Sequence, residues 1–208
     1  MDQYDRDTLL HAHYATLSAF WESVLERTGY CAILLSAGQQ RFFFHDDQGP
    51  AFRPNPLLVQ WLAQEKISEN SWFVFSQAAK PILLFHQPDD FWHAATVAPH
   101  QLEDHLTLEI FSDLPALHAA LGDHLQRIGG SEKEIAQISE DAPPTTANCV
   151  INPPNVIHAL HFQRACKTEY ELAIMRHASM RGAKGHNAAQ RAFYEGASEF
   201  AIHLAFLK

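Results

Sequence analysis

The sequence predicts an α/β fold. Three observations carry this: an amphipathic helix near the start, a glycine that stops it, and a buried-looking apolar run directly behind it. From Asp7 to Thr28 the residues Leu10, Tyr14, Leu17, Phe20, Trp21, Val24 and Leu25 fall on one stripe at helical spacing. Gly29 follows where a helix leaves its last turn through a left-handed residue. Tyr30 to Leu35 is then a continuous apolar run of strand length, as expected for a strand covered on both faces.

The remaining elements follow in order. Ser36-Ala37-Gly38 makes a turn, and Arg41 to Phe44 is expected to be a second strand ending at His45-Asp46-Asp47. Gln48 to Pro56 carries three prolines and a glycine, so it reads as a loop. Pro56 then opens a short helix over Leu57 to Leu62. Trp72 to Phe75 and Pro81 to Phe85 form a hairpin across Ser76 to Lys80. Leu106 to Ile110 alternates like a half-exposed strand, and Leu114 to Leu125 is helical by period. The acidic, polar stretch after Gly130 is expected to be helix-like, up to a break at Pro143-Pro144. Cys149 to Ile151 is a short strand, and Asn152-Pro153-Pro154 opens a helix from Asn155 to His161.

The strongest helix signal comes last. Thr168 and Glu171 have the spacing of a capping box, which fixes where the costly nucleus forms. From there Leu172, Met175, Ala178, Ser179, Gly182, Ala183, His186, Ala189 and Phe193 trace one face rich in small residues, and Gly196 supplies the stop. Ser198 starts another helix through Phe200, Leu204 and Leu207, which the chain leaves at Lys208 without a terminating residue.

Composition excludes several functions. At 208 residues and 47% hydrophobic, the chain can bury a substantial core. With 24 acidic against 15 basic residues the net charge is −9, which argues against nucleic acid or an anionic membrane as partner. No segment approaches the roughly 18 consecutive apolar residues of a membrane span, and the polar N-terminus is unlike a signal peptide. Cys31, Cys149 and Cys166 are odd in number and widely spaced, which points to reduced thiols in the cytoplasm. There is no GxGxxG, P-loop, HExxH or GxSxG motif. The 14 histidines include close pairs such as His11 with His13 and His158 with His161, but no further ligands stand at metal-site spacing. Read alone, Asp46-Asp47 is a solvated turn; only one of two neighbouring side chains can face a given cleft.

Taken together the motifs carry a resemblance. His161-Phe162-Gln163-Arg164 and the run Lys167 to Arg176 resemble the join between the two domains of the pita-bread metallopeptidases. The set Phe44, Asp46, Asp47, then Ala51 to Pro56, Trp61, Pro81, Phe85, Pro88 to His93 and Ile151-Asn152-Pro153 is similar in order and spacing to bacterial Xaa-Pro dipeptidases and the related organophosphorus acid anhydrolases. The resemblance implies a creatinase/prolidase-type N-terminal domain over residues 1–160, a mixed β-sheet with helices on both faces. Residues 161–208 would be the connector and first helices of an incomplete pita-bread domain.

For the whole enzyme it implies a homodimeric metallopeptidase that hydrolyses Xaa-Pro dipeptides with two divalent ions, manganese by the family's habit. The family's two Asp, one His and two Glu ligands come after the end of this chain. Residues 1–208 would therefore contain no catalytic residue and no metal ligand, bind no metal and be inactive alone. One residue carries over: Asp47 matches a carboxylate that reaches a partner subunit's active site and holds the substrate's cationic α-amino group. Asp46 is read as structural, and Trp92 and His93 as a packed aromatic loop that could line the same interface or pocket.

Departures from the family occur over Leu125 to Ala147 and at Gln48-Gly49, where bulkier residues are common. The alternatives are a stand-alone dimerising or ligand-binding module without catalysis, and a histidine-rich metal-binding protein. In a shortened chain the small-residue face of the Thr168 helix would be exposed, mobile or buried in a non-native contact such as a dimer.

Overall fold

The computed structural model describes residues 3–63, 65–89, 91, 96–129, 133–140, 145–146 and 148–208. It falls into two compact units, residues 14–166 and residues 1–13 with 167–208.

The larger unit is built on a six-stranded sheet in the order β4-β3-β2-β1-β5-β6. Its strands are β1 (Ala32–Ser36), β2 (Trp72–Ser76), β3 (Ile82–His86), β4 (Thr107–Phe111), β5 (Ile135–Ile138) and β6 (Cys149–Ile151). β2 pairs antiparallel with β1 and β3, and every other pairing is parallel, so the sheet is mixed. The helices are α1 (Gln3–Thr28), which belongs to this unit from Tyr14 onward, α2 (Pro56–Trp61), α3 (Leu114–Gly129) and α4 (Pro154–Ala165), with a 3-10 turn at His100–Leu102.

Alternation along the strands sends side chains to two covered faces. On one, Ala32, Leu34, Trp72, Val74, Leu84 and Ile135 pack with Leu117, Leu121 and Leu125 of α3. On the other, Trp21 of α1 meets Phe73 and Phe75 edge-on at 6.2 and 5.4 Å, and Trp61 of α2 lies 5.1 Å from Phe73. Tyr14 completes this aromatic cluster by donating its hydroxyl to the Trp61 carbonyl at 2.8 Å. All five residues of β1 are buried, which is why Ala32 to Leu35 are apolar without alternation.

Local signals act where they stand in the sequence. Gly29 has φ +82° and donates its N–H to the Leu25 carbonyl, ending α1. Asn55 caps α2 by accepting from the Leu57 N–H at 3.0 Å, with Pro56 in the first turn. Asn152, at φ +50°, extends the sheet beyond β6 with its side chain. Its Oδ1 accepts from the Ser139 N–H at 3.1 Å and its Nδ2 donates to the Ser139 carbonyl at 2.7 Å.

Two expectations are overturned. Arg41 to Phe44 is not a strand, because both edges of β1 are already taken by β2 and β5, and the segment folds on itself in the open. The stretch after Gly130 is not helix-like over Ile135–Ile138, which forms the fully buried strand β5. Its four residues are too few for a periodicity to show, and its partners β1 and β6 are remote and adjacent in sequence respectively.

In the smaller unit α5 (Glu169–Tyr194) and α6 (Glu199–Leu207) form a helical hairpin. The capping box is complete: Thr168 Oγ1 accepts from the Glu171 N–H and Glu171 Oε2 accepts from the Thr168 N–H at 2.8 Å. His13 Nδ1 lies 2.8 Å from the same Thr168 hydroxyl, with its ring 5.3 Å from that of Tyr170. Gly196 turns the chain at φ +77°, and Ser198 caps α6. The close helix approach is at Gly185, where a β-carbon would stand 2.9 Å from the Phe206 carbonyl oxygen, whereas Gly182 has open space beside it. Tyr170 is the one buried residue of α5, and α6 has none; Met175, Met180, Phe193, Phe200 and Leu207 are all exposed.

Candidate functional site

The chain order β1-β2-β3-β4 moves to one side of β1, and β5 and β6 lie on the other. Such a reversal leaves a crevice at the carboxyl ends of the strands, the usual place for a site in an open α/β sheet. The segment 37–55 leaves β1 at this point. Its base is closed by the Asn55 N–H donating to the Ala37 carbonyl at 3.0 Å. Arg41 Nη2 and Glu140 Oε1, beyond the end of β5, stand 3.1 Å apart in an exposed ion pair.

Beyond this base the segment forms a finger. The Phe43 N–H donates to the Gln48 carbonyl at 2.8 Å, and the Asp46 N–H to the Phe43 carbonyl at 3.1 Å. His45 takes φ +56° inside that turn, with its ring edge-on to Phe44 at 4.1 Å. Asp46 Oδ1 accepts from the Gln48 N–H at 2.9 Å, so Asp46 holds the turn as an Asx residue does. Asp47, next to it, is exposed and has no hydrogen-bond or ion-pair partner among the described residues. Phe42, Phe43 and Phe44 are 62%, 60% and 91% exposed, an unusual cost for large apolar side chains in water.

The neck of the finger is braced by a residue that sequence reasoning passed over. Gln40 Nε2 donates to the Pro50 carbonyl at 2.7 Å and the Arg41 carbonyl at 3.1 Å, one on each arm. The Gln40 N–H donates to Glu69 Oε2 at 2.7 Å. Gly49 was visible as a departure from the family pattern, and the structure gives its reason in the closeness of the two arms there. No local pattern marks Gln40, because the carbonyl it reaches on the far arm, that of Pro50, lies ten residues away in a loop.

Trp92 and His93 lie outside the described residues. Among the described residues no group of three or more His, Cys, Asp or Glu could hold a metal ion. The three cysteines are unpaired thiols. A second concavity of about 810 Å³ lies at the other end of β1, lined by Tyr30, Cys31, Gln77, Lys133 and Glu134 among others. Burial pushes the Cys31 thiol up from its ordinary value, against the opposing pull of a backbone hydrogen bond and Lys133. Burial, with the Glu134 carboxylate, also raises Tyr30. No helix among the described residues is long and apolar enough to cross a membrane.

Comparison with known proteins agrees with this architecture. Residues 8–162 match the family described as "Xaa-Pro dipeptidase, N-terminal domain". The chain is 32% identical over 207 residues to an Xaa-Pro dipeptidase of Xanthomonas euvesicatoria pv. vesicatoria, covering 99% of this chain and 45% of that protein. It is 33% identical over 196 residues to Xaa-Pro dipeptidase 2 of Idiomarina loihiensis, covering 94% and 44%. It thus spans about half the length of the curated relatives it matches. A solved structure assigned as an aminopeptidase P from Bacillus anthracis shares the fold, with a TM-score of 0.57 and 16% identity over 84% of this chain and 45% of that one. With a family match over residues 8–162 and these relatives along nearly all of its length, the chain belongs to the Xaa-Pro dipeptidase N-terminal domain family.

Proposed function

We propose that this chain is the N-terminal part of a cytoplasmic, homodimeric Xaa-Pro dipeptidase, and that it completes the substrate pocket of its dimer partner. The observation that carries this is the Asp47 carboxylate, without a partner among the described residues, on a braced, exposed finger at the carboxyl end of β1. On this reading hydrolysis belongs to a catalytic half outside the matched region, with two divalent ions, manganese, held by residues outside this chain. Residues 161–208 are the connector and first helices of that half, and the exposed faces of α5 and α6 support this.

The role of Asp47 follows from its chemistry. A dipeptide carries a cationic amine at a fixed distance from its one peptide bond. A carboxylate held at that distance sets the register of the bond and disfavours longer peptides, whose amine falls elsewhere. The exposed Phe42, Phe43 and Phe44 beside it supply apolar surface that a second copy would cover.

The test is Asp47→Ala in the full-length enzyme, assayed on an Xaa-Pro dipeptide. Removing a charged hydrogen bond of about 1.5–3 kcal/mol lowers kcat/KM by roughly 10- to 150-fold, mainly through KM. Unchanged KM and turnover would sink the proposal.

A further inference from the structure

We propose that Gln40 is a positioning residue for Asp47, acting with Gly49 as a neck that fixes where the finger holds its carboxylate. This rests on the reading of Asp47 as the amine-binding group and adds the part of the chain that aims it.

A carboxylate on an exposed loop sets a substrate's register only if the loop holds still. Misplacement by about 1 Å can remove as much as 100-fold in rate. At the tip of the finger the Phe43 N–H to Gln48 carbonyl bond joins the two arms, and alone it would fray in water. Just below it the primary amide of Gln40 applies both of its N–H donors to opposite arms, at Arg41 and Pro50. Gly49 lets the arms close beneath that bridge: a β-carbon there would lie 1.9 Å from the Arg41 oxygen and 3.1 Å from Gln40 Nε2. Gly49 carries no left-handed φ, so the requirement is for space and not for backbone freedom. The Gln40 backbone is tied in turn to Glu69, just ahead of β2. The path from Asp47 to the sheet therefore runs through a built bridge at Gln40.

The chemistry of the bridge is selective. Alanine removes both donors. Glutamate keeps the shape but sets an anionic acceptor against two carbonyl oxygens. Neither change touches the Asp47 carboxylate, so each alters where the charge stands and not whether it is present.

The experiment compares wild type, Gln40→Ala, Gln40→Glu, Asp47→Ala and Gln40→Ala/Asp47→Ala in the full-length enzyme, with an alanyl-proline dipeptide as substrate. Expected is a rise in KM of about 10-fold in both Gln40 variants, with kcat within about 2-fold, and no further loss when Gln40→Ala is added to Asp47→Ala. In the 208-residue chain the Phe43 amide should exchange faster in Gln40→Ala while the melting temperature holds. Wild-type KM in both Gln40 variants, with KM raised in Asp47→Ala, overturns the proposal and leaves the reading of Asp47 intact. An equal further loss in the double variant also overturns it, since Gln40 would then act on the fold and not through Asp47. A wild-type KM in Asp47→Ala removes the reading itself and the inference with it.

Discussion

A β-carbon on Gly49 would stand 1.9 Å from the carbonyl oxygen of Arg41. The two arms of the finger are thus in backbone contact, and any side chain at this position must push them apart. Gly49→Ala should abolish protection of the Phe43 amide in hydrogen exchange. Global stability should fall by only about 1 kcal/mol or less, because the finger buries little surface. Retained Phe43 protection would show that the arms have room.

The phenylalanines of the finger should matter for association and not for folding. Replacing Phe42, Phe43 and Phe44 together by serine removes side chains that are 60% or more exposed. Stability is expected to stay within about 0.5 kcal/mol of the parent. Sedimentation of the full-length enzyme should show a weakened dimer, and an unaltered dimer would place its interface elsewhere.

Asn152 should be expensive to replace. Asn152→Ala loses two hydrogen bonds to the buried Ser139 backbone and leaves a β-carbon residue at φ +50° without local compensation. The expected loss is about 2–4 kcal/mol, read from denaturant unfolding. A loss under about 0.5 kcal/mol would mean that water replaces the side chain.

Thr168 serves two partners, as N-cap of α5 and as neighbour of His13. Thr168→Ala should cost about 1–2 kcal/mol, visible as faster exchange of the Glu171 amide. Thr168→Ser, which keeps the hydroxyl, should restore most of it.

The thiols should separate by burial. Cys166 is exposed, while burial raises the Cys31 thiol above the ordinary 9.0. At pH 8 an alkylating reagent should modify Cys166 well before Cys31, as peptide mapping would show. Because the folded pKa lies above the unfolded one, the contribution of Cys31 to stability is fully present below pH 9 and is lost as pH rises through the folded value. Tyr30, raised from 10.0, acts with the same sign at higher pH. Stability that increased between pH 8 and pH 10 would contradict this assignment.

What the sequence determined by itself is whatever neighbours in the chain decide. The stripe of α1 and its Gly29 stop, the Asn55-Pro56 start of α2, the β2–β3 hairpin and the Thr168-Glu171 box need contacts within a few residues, and each stands where the sequence puts it. Motif order also carried the family and drew attention to Asp47 and Gly49. The tertiary structure alone decided three further matters. Ile135–Ile138 became a central strand because β1 and β6 were there to pair with it, although its own four residues show no pattern. Arg41 to Phe44 was denied the sheet because the edges of β1 were already occupied. Gln40 became the brace of the finger because folding brought the Arg41 and Pro50 carbonyls within reach of one amide. Local signals are written in short-range sterics and capping, whereas pairing partners and loop bridges exist only once remote segments have met.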